Sequence, residues 1–187
     1  MGQVMLTRDE ALRLVRKHAV KENNLKHMIA VGGVMKETAI RLGEDERTWE
    51  VVGILHDIDF EVCSGPSDHT VKAKELLDGT ISEELIQTIM AHNHEHTNVA
   101  VDTRIKRGLI CCDAVSGLVL ACALVMPSKK LQDVRVESVI KKYGSKDFAK
   151  GVSRERISMC HEIGIPLNEF LGVALEGMRK VSDELGL

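Results

Sequence analysis

The segment GILHDIDFE, residues 53–61, places a histidine and an aspartate side by side where an apolar run ends. The run, residues 51–55, predicts a buried helix, and a second carboxylate, Asp59, follows two positions after Asp57. Burying a carboxylate there is costly unless a cation or strong donors compensate it. Because adjacent helical residues point about 100° apart, His56 and Asp57 can share a metal ion only where the helix ends, or they serve two neighbouring ions.

A second buried carboxylate is predicted in the most apolar segment of the chain, GLICCDAVSGLVLACALVM, where Asp113 is the only charge. The segment is long enough to cross a bilayer, but a carboxylate in mid-span would be costly and no second segment of that length accompanies it. We therefore predict a buried helix of a soluble bundle. An ion pair with Lys or Arg is the alternative to a metal for Asp113, and no basic residue follows Arg107 within that helix.

Three more histidines stand where a side chain can reach a site between helices. We expect His27 in the first turn of an apolar helix, His69 at the start of a helix and His92 at the end of the next one. The remaining four are weaker candidates. His94-Glu95-His96 is too tightly spaced for the metal-binding H-E-x-x-H pattern, so we expect an exposed His94 in a polar loop and allow His96 as a substitute ligand or outer support, while His18 and His161 have no supporting context.

The elements that must position these residues are helical almost throughout. Thr7 and Glu10 form a capping box, a second helix over 25–42 ends at Gly43, and Asp45 begins a third helix that ends at the His-Asp pair. We further predict helices from Ser67 or Asp68 to Leu77, from Thr80 or Ser82 to His92, and from Asp102 or Thr103 until Pro127 ends it. Three or four more follow, the last of them over 167–185. No sustained two-residue alternation indicates strands. The fold class is therefore all-α, a compact helical bundle, with Gly32-Gly33 permitting close helix packing.

The order His27, His56-Asp57, His69, His92, Asp113 resembles the HD superfamily of metal-dependent phosphohydrolases, in the branch with a binuclear site. The resemblance covers about residues 25–125 and implies a helical bundle of the HD-domain type. It implies that His27, His56, Asp57 and Asp113 hold one ion, and that Asp57, His69 and His92 hold a second. Asp57 would then bridge both ions and be the catalytic residue. Such ligands suit Fe, Mn, Co, Ni or Zn better than Mg or Ca, so the expected cofactors are two divalent transition metal ions.

The resemblance leaves the reaction partly open. Many phosphodiesterase members read H-D-I-G-K and carry a later G-Y-P, whereas this chain reads H-D-I-D-F and has no G-Y-P. A cyclic-dinucleotide phosphodiesterase is therefore disfavoured, and a basic residue near the leaving phosphate must come from elsewhere, with Lys26, Lys106, Lys129 and Lys130 as candidates. We expect a phosphate ester or anhydride as substrate, a nucleotide or another small phosphorylated metabolite. The alternatives are a di-iron oxygenase of the same fold and a non-catalytic metal-binding helical module.

Composition limits the cellular context. The chain has 187 residues and a net charge of −3, which gives no nucleic-acid footprint, although residues 128–156 hold nine basic and four acidic side chains. The simplest interpretation of that stretch is a solvent-exposed helical face.

Five cysteines without a C-x-x-C pair favour reduced thiols, and the N-terminus lacks a signal pattern, so we expect a cytoplasmic protein without a membrane partner. We predict a single domain over 1–187, with a helical C-terminal extension over 128–187; a homo-oligomer stays open.

Overall fold

The computed structural model describes residues 6–187, in which every regular element is helical and no strand occurs. This confirms the all-α prediction. The first five residues, part of the N-terminal stretch from which we expect no signal, lie outside the described residues. The α-helices are α1 (Arg8–Val15), α2 (Glu22–Leu42), α3 (Glu46–Leu55), α4 (Val71–Leu77), α5 (Glu83–Ala91), α6 (His94–Thr97), α7 (Arg104–Leu124), α8 (Val136–Tyr143), α9 (Arg154–Ser158), α10 (Leu167–Lys180) and α11 (Ser182–Leu185). Two 3-10 turns lie at Leu131–Asp133 and Met159–Ile163.

Several helix ends follow from local hydrogen bonds that the sequence predicts. The capping box of Thr7 and Glu10 is present, and the Asp45 carboxylate accepts the amide of Thr48 at 2.6 Å to begin α3. Ser82 caps α5 in the same way, at 3.3 Å from the amide of Leu85. Gly43 ends α2 with a φ of +70°, a conformation that glycine adopts without steric cost. These boundaries confirm the predicted ends.

Other boundaries differ from the prediction. Helix α4 does not begin at residue 67 or 68 but at Val71, because the Asp68 carboxylate instead accepts the backbone amides of Ser64 and Gly65. The predicted polar loop around residues 94–97 forms one helical turn, α6. The last predicted helix is broken at Val181, which has non-helical dihedral angles and separates α10 from α11.

Helix α2 is the central element, and its two adjacent glycines bring two other helices close. A Cβ atom at Gly32 would lie 2.7 Å from Ile54 of α3, and one at Gly33 would lie 2.7 Å from the carbonyl oxygen of Gly177 in α10. Gly177 is equally restricted, since its Cβ would lie 2.6 Å from the carbonyl oxygen of Gly33. The predicted role of the glycine pair in close packing is confirmed. The helix that carries His27 is thereby fixed against the helix that delivers His56.

Helix α7 is the one helix in the described residues that is long and apolar enough to cross a membrane, by length and composition alone. Most of its apolar window is buried inside the structure, as in the core helix of a bundle, and a core helix passes the same test. Leu109, Ile110, Val115 and Leu118 are fully buried. Placing the helix in the core accounts for its composition and brings Asp113 to the interior.

The loop between α8 and α9 is held in place by one arginine. The guanidinium of Arg154 donates to six backbone carbonyl groups. Among them are the carbonyl groups of Phe148, at 2.6 Å, and Ala149, at 3.0 Å. Satisfying so many carbonyl groups from one planar guanidinium group orders residues 142–152. The division into a metal-site core and a C-terminal extension stays a prediction, but the Arg154 bonds hold residues 142–152 of that extension in place.

Candidate metal centre

His56 is fully buried immediately after the last residue of α3. Its Nδ1 lies 2.7 Å from the carbonyl oxygen of Gly53, and since a carbonyl only accepts, Nδ1 carries the proton. Nε2 then has its lone pair free, and it is buried without a hydrogen-bond partner among the described residues. Burial lowers the pKa of His56 to about 4, so the ring is neutral, as a metal ligand must be.

Asp57 presents its two carboxylate oxygens to two different groups of imidazoles. Oδ2 lies 3.5 Å from Nε2 of His27 and 3.5 Å from Nε2 of His56. Oδ1 lies 3.3 Å from Nε2 of both His69 and His92. Burial opposes ionisation of the carboxyl, but the neighbouring imidazoles hold the pKa of Asp57 well below its usual range. The side chain therefore has the arrangement of a bridging carboxylate.

Asp113 of α7 completes the first group from the opposite side. Its Oδ1 lies 3.2 Å from Nε2 of His27 and 3.8 Å from Nε2 of His56. The ion pairs found among the described residues give Asp113 these imidazoles and no Lys or Arg, so the alternative of a simple salt bridge is not what the fold provides. A lone carboxylate in the most apolar helix is thus explained by the cluster that it faces.

His69 and His92 form the second group, and their ring nitrogens are unusually placed. Nε2 of one lies 3.0 Å from Nε2 of the other. Nδ1 of His92 donates to the carbonyl oxygen of Ile89 at 2.7 Å, so its Nε2 carries a lone pair. The close pair of nitrogens needs either a shared proton or a cation between them. Burial works against protonation of His69, yet the carboxylates of Asp57 and Asp59 beside its two ring nitrogens raise its pKa to about 10, so the site favours a positive charge at this point.

The donor set fits divalent metal ions. Ligand atoms about 2.0–2.2 Å from one ion stand about 3.0–3.5 Å apart at tetrahedral or octahedral angles. The contacts of Asp57 with the imidazoles, at 3.3–3.5 Å, fall in that range. Two sets of donor atoms lie within 4.8 Å of one another: His27, His56 and Asp113, and His56, Asp57 and His92. The structure thus brings together all six predicted ligands, while their role as ligands stays a prediction.

Asp59 supports the cluster from behind, which the sequence does not reveal. It is fully buried, and its Oδ1 lies 2.9 Å from Nδ1 of His69. Its Oδ2 accepts the amides of Thr70, at 2.6 Å, and Ala73, at 3.0 Å. Thr70 has a φ of +68°, a strained conformation for a β-branched residue. The carboxylate therefore fixes both the ring of His69 and the turn that carries it, as carboxylates behind metal-bound histidines do.

The other histidines lie outside this cluster. His94 is half-buried, so the prediction of an exposed side chain is wrong: the one-turn helix α6 replaces the loop and covers its Nδ1. His96 is exposed, and its Nδ1 lies 2.9 Å from Oδ1 of Asn93, whose amide holds the carbonyl group of His69. His96 is therefore at most an indirect support. His18 is half-buried, His161 is exposed, and neither is part of the cluster.

Two cavities adjoin the cluster, and His27 lines both of them. The larger, about 450 Å³, has an apolar wall with Lys26 as its cation, and the smaller, about 330 Å³, contains Asp113 and Arg156. Of the four lysines predicted as candidates to contact the leaving phosphate, only Lys26 lines one of these two cavities. The Lys106 ammonium is bonded to Asp102 and to a backbone carbonyl, at 2.8 and 3.0 Å, and neither Lys129 nor Lys130 lines either cavity.

A family model of the HD domain matches residues 24–118, about half of the chain, and spans all six clustered residues. The chain belongs to the HD domain family. No curated protein matches it, and no solved structure does.

Membership places the protein in a superfamily whose general chemistry is defined. The HD domain defines a superfamily of metal-dependent hydrolases, and its proteins bind divalent metal ions. Together with the helical fold, this confirms the resemblance to the HD superfamily, while the binuclear branch stays a prediction. The match ends at residue 118, so the elements from the last turns of α7 onward, with Arg156, lie outside it.

Proposed function

We propose that this protein is a phosphohydrolase that uses two divalent transition metal ions to cleave a phosphate ester or anhydride. The observation that carries the proposal is the carboxylate of Asp57, with one oxygen facing His27 and His56 and the other facing His69 and His92. A carboxylate in that position suits two ions side by side. Two adjacent ions are a recurrent means of phosphoryl transfer in hydrolases.

The chemistry that the ions supply when bound is activation of water and stabilisation of the charge that develops on the phosphoryl oxygens. The chain's own contribution is to hold the ligands rigidly. Carbonyl groups of Gly53 and Ile89 fix the rings of His56 and His92 with Nε2 facing inward, and Asp59 does the same for His69. Because these contacts are made by buried groups, the arrangement needs little reorganisation during the reaction.

For the substrate we favour a nucleotide or another small phosphorylated metabolite. Phe60 supports the first choice, because its ring is 54% exposed and lies 6.1 Å from the ring of His69, edge to face. An exposed aromatic ring beside the cluster offers a stacking surface for a base. The two adjoining cavities are of the size that small ligands occupy.

The test is a screen of the metal-reconstituted protein against nucleoside mono-, di- and triphosphates, sugar phosphates and p-nitrophenyl phosphate, with phosphate release as the readout. We expect turnover that stops on chelation and returns with added metal. A variant lacking Asp57 serves as the background control. Absence of turnover with every metal and substrate, alongside oxygen uptake by the reduced iron form, would instead favour the oxygenase. A metal whose removal unfolds the chain, without either activity, would favour a structural role.

A further inference from the structure

We infer that the smaller cavity beside the cluster is the phosphate-binding subsite, and that Arg156 of the C-terminal extension is the residue that holds the phosphate there. The inference rests on the proposed function and adds what the family match does not contain, the cation for the substrate. Three observations support it: the position of the cavity, the N–H donors that Arg156 has available, and the contacts that engage the other basic residues elsewhere.

The cavity joins the candidate metal centre to the C-terminal extension. It has a volume of about 330 Å³, and its lining includes His27 and Asp113 from the cluster, Gly117 from α7, and Gly151, Ser153 and Arg156 from the extension. A group bound there contacts the cluster on one side and Arg156 on the other. Because two of the lining residues are glycines, backbone rather than side chains borders the cavity at those points.

The guanidinium of Arg156 lies close to the second group of the cluster and keeps donors available. Nη1 lies 3.5 Å from the carbonyl oxygen of His92, and Nη2 lies 3.2 Å from the carboxylate of Glu95. The Glu95 side chain is 59% exposed, so a phosphate dianion in the cavity competes with it at little cost. Arginine is suited to this task, since its planar fork of five N–H groups matches phosphate oxygens.

The neighbouring Arg154 cannot do the same. Its guanidinium is committed to six backbone carbonyl groups. Those bonds shape the loop that borders the cavity at Gly151, so Arg154 positions the segment and Arg156 faces the ligand. Within the basic stretch 128–156, Lys142 lies over the ring of Phe148 and Lys150 pairs with Asp147. Arg156 is the basic residue of this stretch that lines a cavity at the cluster.

The larger cavity suits a different part of the substrate. Its wall includes Ala30, Leu120, Leu124 and Met178, and Asp113 does not line it. Lys26, its cation, stands 3.8 Å from Glu22 on the same helix. A doubly charged phosphate is better matched by the cavity that contains Arg156 and two residues of the cluster.

The experiment compares Arg156→Ala with Arg135→Ala, which removes the same charge from an exposed position in the same basic stretch. Each metal-loaded protein is titrated with inorganic phosphate by calorimetry, and its KM and kcat are measured with p-nitrophenyl phosphate. We expect Arg156→Ala to weaken phosphate binding and raise KM by about 10- to 100-fold, the effect of losing hydrogen bonds to a charged group. Metal content and thermal midpoint stay unchanged, and Arg135→Ala behaves as the wild type.

Two further variants separate binding from folding. Arg156→Lys keeps the charge without the fork, so its KM should lie between those of the wild type and Arg156→Ala. Glu95→Gln removes the competing carboxylate and should tighten phosphate binding by about 2- to 5-fold. Loss of metal from Arg156→Ala, or equal KM values for Arg156→Ala and Arg135→Ala, would overturn the inference while leaving the proposed function standing. A metal-loaded wild type that neither binds phosphate nor turns over would overturn both.

Discussion

Helix α3 carries one acidic residue in its interior and delivers another just past its end, and the fold treats them in opposite ways. Glu50 is 5% exposed and is paired with the guanidinium of Arg8 and the ammonium of Lys36, each at 3.0 Å. Asp57, two residues after the helix, is surrounded by four imidazoles and has no Lys or Arg among its ion pairs in the described residues. Both carboxylates need compensation for burial, and only the first receives a permanent cation from the chain.

The difference distinguishes a structural carboxylate from the one that we propose as a metal ligand. A Lys or Arg partner is a permanent cation beside a buried acid, whereas an imidazole can release its proton and leave its ring nitrogen free for a cation from solution. Asp113 follows the same pattern as Asp57, with two imidazoles as its partners. The identity of the partner, rather than burial itself, is therefore what marks the candidate metal centre.

The largest expected effect that tests this comparison comes from Asp57→Asn. The amide keeps the size of the side chain but removes the charge between the two groups of imidazoles. We expect loss of metal and at least about a 100-fold fall in hydrolysis, since removing an outer-shell partner of a metal ligand already costs about 10- to 100-fold. Elemental analysis and phosphate release would measure both. Full turnover in this variant would remove Asp57 from the mechanism.

The next effect comes from Asp59→Asn. The new amide group would face N–H donors that now meet a carboxylate, so His69 loses its fixed orientation. We expect metal affinity to fall about 10- to 100-fold. Asp68→Asn is the matched control, because that carboxylate also accepts backbone amides in the same loop, and its hydrogen bonds among the described residues go to Ser64 and Gly65 rather than to a side chain of the cluster. Equal metal affinities for the two variants would show that Asp59 acts only on the loop.

The smallest effect is expected from a change at Glu50, the structural carboxylate of the comparison. Glu50→Gln should lower the free energy of unfolding by about 1–2 kcal/mol, because Lys36 and Arg8 each lose a charged partner, although Arg8 keeps its pair with Glu184. Metal content and activity should remain those of the wild type. Chemical denaturation gives the stability, and the same elemental analysis gives the metal. If Glu50→Gln lost metal as Asp57→Asn does, partner identity would not distinguish the two carboxylates.

Much of the candidate site could be predicted from the sequence because its residues are of types that are unusual in the apolar segments where they occur. Asp57 and Asp113 are charges at or within apolar helices, and His27, His69 and His92 stand near helix ends, so types and order alone suggested a shared cation. The all-α class was predictable for a similar reason, since capping residues such as Thr7, Asp45 and Ser82 make local hydrogen bonds. Residue types and the contacts between residues close together in the chain are therefore what a sequence predicts best.

The contacts that could not be predicted depend on how separate segments of the chain fold against one another. Asp59 supports His69 only because the chain folds back so that residues 70 and 73 donate to it. Arg156 reaches the cluster only through packing of the extension. The break at Val181 has no stop signal in the sequence; its side chain packs on α2 where a Cβ at Gly33 would lie 3.0 Å away. Tertiary packing decided each of these.

The measurement that tests the central claim most directly is metal content per chain, by elemental analysis of untagged protein purified without chelator. The account predicts a value near two, with iron or manganese prominent, because Asp57 faces two groups of imidazoles. A value near one would contradict the second group and leave His69 and His92 without a metal. No metal, even after reconstitution, would contradict the account altogether.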